Sequence, residues 1–426
     1  MTPFRFIILA ALLLVPLRPA GAGEEEVSWE DCLREALLRH PDLVSARQSV
    51  EQARARRGQA ASRLLPQVRG SMSADRSRRD EERSSYSYSI QGSQLIFDGI
   101  GSWYDTRAAG ESLIAAKFDY STVSARIRHN LRTAFIELLK AQELEVITAE
   151  IVTRRQQQAE MVGLRYDGGR EHRGALLTAE ANLAQARFDR DQAGRDLRLA
   201  RQRLSKEMGF SEAAPLRARG ELEPSTALDP APATGELLDL NPGILKLRAD
   251  LEVARYAVKS AGADFSPEIS GSARIGRSDS SWPPGEESWN LGLSLSLPIF
   301  EGGRRIDEMS RVRAGRKQAE ERLRSGRNDA RFSLERAWKD YLDARDRVEI
   351  RELFLQADEE RARIADAQYA TGVLSFDNWI IIEDNLVRSR RSLLEARAGA
   401  LAAESAWLLA VGVGLEGFPE GRPPEF

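Results

Sequence analysis

Cysteine, histidine and lysine are all scarce in this chain of 426 residues. The single cysteine, Cys32, excludes an intramolecular disulfide. The three histidines, His40, His129 and His172, lie far apart in sequence, so no metal site and no cofactor is predicted. An excess of one charge sign is also absent, because 62 Lys and Arg residues stand against 65 Asp and Glu residues and the net charge is -3. That balance argues against nucleic acid as the main partner, since nucleic-acid-binding domains are strongly basic.

Long hydrophobic runs are absent apart from residues 6–17, which Arg5 precedes and Ala20-Gly21-Ala22 follows. A basic residue, a short apolar segment and a small-residue cleavage site are typical of a secretory signal peptide, and the run is too short for a membrane-spanning helix. We therefore expect residues 1–22 to be removed on export. Cys32 lies ten residues further on, so it cannot be the acylated first residue of a lipoprotein. It is predicted to be a small buried side chain in an early helix.

The chain contains an internal duplication. Landmarks of the first half recur in the second half at a nearly constant offset of 201 to 203 residues. The recurring pairs are His40-Pro41 with Asn241-Pro242, Phe97-Asp98-Gly99 with Phe300-Glu301-Gly302, Tyr166 with Tyr369, Gly169 with Gly372, and Gly209 with Gly412. A repeat at a constant offset predicts two copies of one structural unit, joined by a connector rich in Pro, Ala and Glu.

Each half is predicted to contain a short helix, over residues 42–65 or 242–265, followed by a pair of strands. Residues 85–90 and 289–297 alternate between apolar and polar side chains, which is typical of strands with one apolar face. Strands of about ten residues with such a face match transmembrane β-strands. Four strands cannot close a barrel, and lipid does not tolerate open edges, so copies of the chain must associate. Two copies would give a barrel filled by side chains, and three would leave a lumen.

After each strand pair, the sequence predicts a long helix and a shorter returning helix. Apolar and alanine residues recur at alternating steps of four and three over residues 127–166 and 330–369, the seven-residue repeat of a coiled coil. Residues 303–369 would span roughly 100 Å as a helix. The returning helix is about half as long, so we expect it to stack end to end on the short helix that precedes the next strand pair. The resulting rod has strands at one end and the turns at Gly169 and Gly372 at the other.

With these features, the sequence resembles the TolC-like outer-membrane efflux proteins. The resemblance rests on the duplication, on the strand ends Phe97-Asp98-Gly99 and Phe300-Glu301-Gly302, and on the turns that contain Gly169 and Gly372. It implies an α+β membrane protein of the Gram-negative outer membrane, a homotrimer with a twelve-stranded barrel and a long periplasmic coiled-coil tunnel. It also implies an exit duct that serves an inner-membrane transporter, in efflux or type I secretion, through a periplasmic adaptor protein.

The predicted organisation has five parts. They are a signal peptide over residues 1–22, a first repeat over 23–210, an equatorial connector over 211–241, a second repeat over 242–412 and a tail over 413–426. No enzyme is predicted, because no arrangement of nucleophile, base and acid stands out, and Glu24-Glu25-Glu26 reads as a solvated charge run. The alternative function is a structural coiled-coil protein of the cell envelope without transport activity. The substrate class cannot be deduced, since specificity would lie in the pump.

The predicted functional residues fall into two groups. The periplasmic entrance and adaptor contact are assigned to Tyr166, Asp167, Gly169, Arg170, Glu171, Tyr369, Gly372, Asp377 and Asp384. The lipid-facing strand residues are Tyr86, Tyr88, Ile90, Trp289, Leu291, Leu293, Leu295 and Leu297. Asp377 and Asp384 are seven residues apart and would share a helix face in a threefold carboxylate ring, with Arg170, Arg363 or bound cations offsetting their repulsion. The alternatives are helix-capping glycines and a solvated acidic face.

Overall fold

The structure is a computed structural model that describes residues 25–78, 82–223, 234–418, 422 and 424. The predicted signal peptide lies outside the described residues. The first half contains β1 (Glu25–Val27), α1 (Trp29–Arg39), α2 (Pro41–Ser62), β2 (Gln67–Arg78), β3 (Glu82–Phe97), α3 (Gly101–Asp167), α4 (Arg173–Glu207) and β4 (Leu216–Ala218). The second half contains α5 (Thr234–Leu240), α6 (Pro242–Ala263), β5 (Glu268–Asp279), β6 (Glu286–Ser296), α7 (Arg304–Thr371) and α8 (Phe376–Val411). The order helix, strand pair, long helix, returning helix thus occurs twice, as the duplication predicts.

The four long strands form one antiparallel sheet in the order β2-β3-β5-β6. Ile90, Ile275 and Trp289 are register partners across three of these strands, so the predicted lipid-facing residues within the strands share one face. Leu297 follows the last residue of β6 and lies outside it, because Pro298 has no N–H to continue the ladder. β2 and β5, the hairpin partners of β3 and β6, continue through polar residues to the hairpin ends, because backbone pairing does not require apolar side chains.

The predicted long helices are present, and they stand on one side of the sheet as a rod. α3 has 67 residues and α7 has 68, or roughly 100 Å each at 1.5 Å per residue. α4 and α8 return with 35 and 36 residues and pack against α3 and α7 respectively. Within the described ranges, no helix combines the length and the apolar character that crossing a membrane requires.

Each returning helix stacks end to end on a short helix, as expected, but its partner is the short helix of its own half and not the one that precedes the next strand pair. Gly209 follows α4 with φ +83°, and a Cβ there would lie 2.8 Å from the backbone of Arg39 and 2.9 Å from that of His40, the residue that precedes α2. Gly412 follows α8 with φ +94° and meets Pro242 at the start of α6 in the same way. Only glycine tolerates both the left-handed backbone and the close approach. The repeated glycine therefore marks the junction between stacked helices.

The strand-to-helix turn explains the first of the repeated motifs. Asp98 Oδ2 accepts a hydrogen bond from the backbone N–H of Ser102 at 2.8 Å, so this carboxylate caps the first turn of α3. In the second half, Glu301 forms ion pairs with Arg304 at 2.9 Å and Arg305 at 2.5 Å instead. An acidic residue thus anchors the start of each long helix, through a different contact in each copy.

A small parallel sheet near the middle of the rod was missed by the sequence patterns. Glu25 and Glu26, interpreted as part of a solvated charge run, belong to β1, which pairs with β4 in the predicted connector. Their side chains are exposed, whereas Val27 packs into the main hydrophobic core. Cys32 lies in this core and is fully buried, as predicted. Burial raises the pKa of its thiol to about 12.

Candidate functional site at the tip of the helical hairpins

Two turns reverse the chain at the end of the rod opposite the sheet, and with the adjoining helix ends they form the tip. At the first turn, the N–H of Arg170 donates to the carbonyl oxygen of Arg165 at 2.8 Å; at the second, the N–H of Val373 donates to that of Gln368 at 2.9 Å. Both bonds span five residues, as in the Schellman motif that ends helices. Gly169 and Gly372 supply the positive φ of these turns, +67° and +83°. The helix-cap interpretation of both glycines therefore accounts for their backbone.

An aromatic cluster fills the tip between the two hairpins. The rings of Tyr369 on α7 and Trp379 on α8 are stacked, with centroids 4.2 Å apart and planes at 8°. Both side chains are fully buried, and Phe376 contacts Trp379 edge-on at 6.3 Å. The guanidinium of Arg165, on α3, lies 4.6 Å from the centroid of the Tyr369 ring. Tyr369 is thus held by its own hairpin and by the first hairpin.

Tyr369 also links the two turns through hydrogen bonds. Its hydroxyl donates to Glu171 Oε2 at 3.1 Å, and its carbonyl oxygen accepts from Arg165 Nη1 at 2.6 Å. Burial raises the pKa of the Tyr369 hydroxyl, and the neighbouring Glu171 carboxylate raises it further, because both disfavour a phenolate. The hydroxyl therefore stays a donor over the physiological pH range.

Three helices meet at a buried ion pair, further up the rod from the turns. Glu383 of α8 is fully buried and accepts hydrogen bonds from Arg154 Nε at 2.5 Å, Arg154 Nη2 at 2.7 Å and Gln158 Nε2 at 2.5 Å, all from α3. Arg154 Nη2 also contacts Asp366 Oδ2 of α7 at 2.9 Å, and Asp366 Oδ1 accepts from Trp379 Nε1 at 2.8 Å. The hydrogen bonds to Glu383 raise the pKa of Arg154. We call Arg154, Gln158, Asp366 and Glu383 the charged knot.

Asp384 is neutralised by a residue that the sequence analysis did not assign to the site. Its carboxylate forms an ion pair with Arg155 of α3, whose side chain is almost fully buried and also donates to Gln158 at 3.0 Å. Arg363, one of the groups expected to offset Asp384, pairs instead with Glu360 one turn away on its own helix, at 2.6 Å. Glu360 is favoured as the partner of Arg363 because side chains three residues apart on one helix are neighbours.

A domain model described as outer membrane efflux protein matches residues 32–209 and, a second time, residues 233–413. The chain belongs to the outer membrane efflux protein family. The resemblance drawn from the duplication, the strand ends and the turn glycines is thereby confirmed, together with the outer membrane as the location. The members of this family are outer-membrane channels, which are not enzymes. Membership therefore disfavours the alternative of a structural coiled-coil protein without transport activity.

Similar proteins have both efflux and secretion in their names. The alkaline protease secretion protein AprF of Pseudomonas aeruginosa is 27% identical over 63% of this chain and 60% of AprF, so the alignment spans less than two thirds of that relative. The outer membrane efflux protein BepC of Brucella suis is 22% identical over 80% of this chain and 75% of BepC. The crystal structure of the Campylobacter jejuni outer membrane channel CmeC superposes with a TM-score of 0.83 at 18% identity, covering 92% of this chain and 86% of CmeC. The chain therefore has the fold of an outer-membrane channel.

Within this family fold, the predicted entrance residues fall into two sets. Glu171 and Tyr369 are brought into contact, as described above. Tyr166, Asp167, Arg170 and Asp377 are exposed, and within the described residues Asp167 and Arg170 form no ion pair.

The charged knot is the part of the tip that sequence reasoning missed. Arg155 falls on the seven-residue seam of α3, where a charged residue signals a buried partner, but Arg154 and Glu383 carry no comparable signal. Their contact joins positions 229 residues apart.

Proposed function

We propose that three copies of this chain form the outer-membrane exit duct of an efflux or type I secretion system. Each copy would supply its four strands to a twelve-stranded barrel and its helices to a periplasmic tunnel. The sheet is the observation that carries this proposal, because its edge strands β2 and β6 lack a partner within the described residues. Lipid does not tolerate open edges. One chain alone therefore cannot form a closed barrel.

The composition of the two sheet faces favours three copies over two. One face carries Leu291, Leu293 and Leu295, which suit contact with lipid. The opposite face is rich in serine and glycine, as in the row of partners Ser71, Ser89, Gly276 and Ser288. An eight-stranded barrel needs bulky inner side chains to fill it, whereas a wider barrel keeps a water-filled lumen. Small polar side chains fit the wider barrel.

The tip is the proposed periplasmic entrance and the contact site for an adaptor protein from the inner-membrane transporter. It lies at the end of the rod farthest from the sheet, so it is the part that an adaptor reaches first. The contacts of Tyr369 and the charged knot join the two hairpins there. Such contacts can stabilise the closed state of an entrance that has a closed and an open arrangement.

The assembly and the duct are tested together on the mature protein in mild detergent. Light scattering should give the mass of three chains, and the same preparation should conduct ions when reconstituted in a planar bilayer. The physical reason is that strand edges pair between copies. A stable monomer that retains its β-signal would contradict the barrel, and a trimer without any conductance would contradict the duct.

A further inference from the structure

One row of the serine-rich face of the sheet carries two large cationic side chains. Arg69 of β2, Gln91 of β3, Arg274 of β5 and Asn290 of β6 are register partners, so their side chains share this face. Arg274 Nη2 donates a hydrogen bond to Gln91 Oε1 at 2.7 Å. Neighbouring strands are about 4.8 Å apart, which separates the backbones of the two arginines by roughly 10 Å.

Among the strand residues that the structure describes, no carboxylate lies close to this row on the same face. The two flanking rows contain Gln67, Ser93, Ser272 and Gly292 on one side, and Ser71, Ser89, Gly276 and Ser288 on the other. At about 3.3 Å per residue, Glu286 lies roughly 13 Å along β6 from Asn290, and Asp75 and Glu268 lie roughly 20 Å from the arginine of their own strand. Neither arginine forms an ion pair within the described residues. Their charge is therefore not neutralised by any residue in the described part of the chain.

On the opposite face of the sheet, by contrast, an arginine does have a carboxylate partner. Arg277, three residues after Arg274 on β5, points to the apolar face and forms an ion pair with Glu287 of β6 at 3.2 Å. Arg69 and Arg274 are also longer than every side chain of the two flanking rows, which hold mainly serine and glycine. In a barrel lined by this face, they would reach farther toward the axis than the side chains of the flanking rows.

We propose that Arg69 and Arg274 form a basic belt inside the barrel, which makes this segment of the duct selective for anionic solutes. The inference rests on the proposed trimeric barrel, in which threefold symmetry would bring six guanidinium groups to one lumen. Rings of arginine or lysine favour anions in pores, and surfaces of one charge sign raise the local concentration of the opposite ion by roughly 10- to 1000-fold. The solutes favoured are those that carry carboxylate, sulfate or phosphate groups.

A thiol placed beside the belt measures the local potential independently of the entrance. Ser272 lies two residues before Arg274 on the same face, so Ser272→Cys provides this reporter. Cys32, the one native cysteine, is buried and has a raised pKa, so it does not compete for reagents that need an accessible thiolate. The reaction rates with a sulfonated and with a quaternary-ammonium methanethiosulfonate are measured on outer membranes that contain the full-length protein. Their ratio cancels changes in the thiol's own pKa.

The ratio should favour the anionic reagent and should fall roughly tenfold in R69Q/R274Q, because the counter-ion enrichment is lost. Arg274→Lys should retain it, and the matched control Arg277→Gln, on the opposite face of the same strand, should leave it unchanged. The single variants R69Q and R274Q, with intermediate ratios, keep the test usable if the double variant does not assemble.

Two other results would overturn the belt. A reactive thiol whose ratio matches that of a free thiol, or does not respond to R69Q/R274Q, refutes the belt and leaves the duct standing. A thiol that reacts with neither reagent means that this face does not line a water-filled lumen, which refutes the proposed duct as well.

Discussion

The two ends of the molecule differ in where their side chains find partners. At the tip, Tyr369 stacks on Trp379, and Glu383 is enclosed by Arg154 and Gln158, all within one chain. At the sheet, Leu291 and Leu293 are 76% and 73% exposed, and two edge strands are unpaired within the described residues. The tip is therefore complete in a single copy, whereas the sheet is complete only with further copies and lipid, as we propose.

This difference determines which measurement should detect the effect of a substitution. A change at the tip alters contacts that one chain makes alone, so its effect should appear as local opening of the two hairpins. A change on the sheet alters contacts made on assembly, so its effect should appear in the amount of trimer in the membrane. The predictions below use this contrast, in order of decreasing expected effect.

Removal of the Arg154 guanidinium from the charged knot should have the largest effect on the stability of the tip. Arg154→Met leaves the fully buried carboxylate of Glu383 without its bidentate partner. Loss of one member of a buried ion pair costs about 3–5 kcal/mol, which corresponds to local opening that is roughly 100- to 5000-fold more frequent. Hydrogen exchange of peptides from α7 and α8 near the tip should report this increase.

The double variant Arg154→Met/Glu383→Leu separates the cost of an unpaired charge from the loss of packing. Replacement of a buried ion pair by apolar residues is often neutral, so exchange should return most of the way to the native rate. Arg363→Met is the matched control, because its pair with Glu360 is exposed and exposed ion pairs contribute little to stability. Equal exchange in Arg154→Met and Arg363→Met would show that the knot does not stabilise the tip.

The knot also shows where sequence reasoning ends. The duplication and the seven-residue seams predicted the long helices, the returning helices and their end-to-end stacking on short helices, because those features depend on local periodicity. The contact between Arg154 and Glu383 depends on the relative register of two helices from different halves. Periodicity along one helix does not define that register. The pairing of β1 with β4 was missed for the same reason, since three-residue strands far apart in sequence carry no pattern.

The second prediction tests which face of the sheet contacts lipid. Leu293→Arg places a charge on the face proposed to contact lipid, which costs about 2–4 kcal/mol near the bilayer midplane. Trimer abundance in the outer membrane should fall accordingly. Ser294→Arg is the matched control, one residue along β6 and on the opposite face, where water in a lumen would hydrate the charge. Equal loss of trimer in the two variants would contradict the assignment of the faces.

The third prediction concerns the link between the two turns. Tyr369→Phe keeps the stack on Trp379 but removes the hydrogen bond to Glu171, a loss of about 1 kcal/mol. Thermal unfolding of the helices, followed by circular dichroism near neutral pH, should show a small decrease in the midpoint. Tyr166→Phe is the matched control from the duplicated position, because Tyr166 is partly exposed. A decrease of the same size in Tyr166→Phe would mean that the hydrogen bond to Glu171 is not the cause.

The pH dependence of the same pair gives the smallest and most specific test. The pKa of Tyr369 is raised in the folded chain above the ordinary value of 10.0, so an unfolded chain loses this proton first. The stability that Tyr369 contributes is therefore fully present below pH 10 and declines as the pH rises above it. Since Tyr369→Phe has no proton to lose, the difference in midpoint between the two proteins should shrink in alkaline buffer. A difference that stays constant or grows above pH 10 would show that the hydroxyl is not held as a buried donor at the tip.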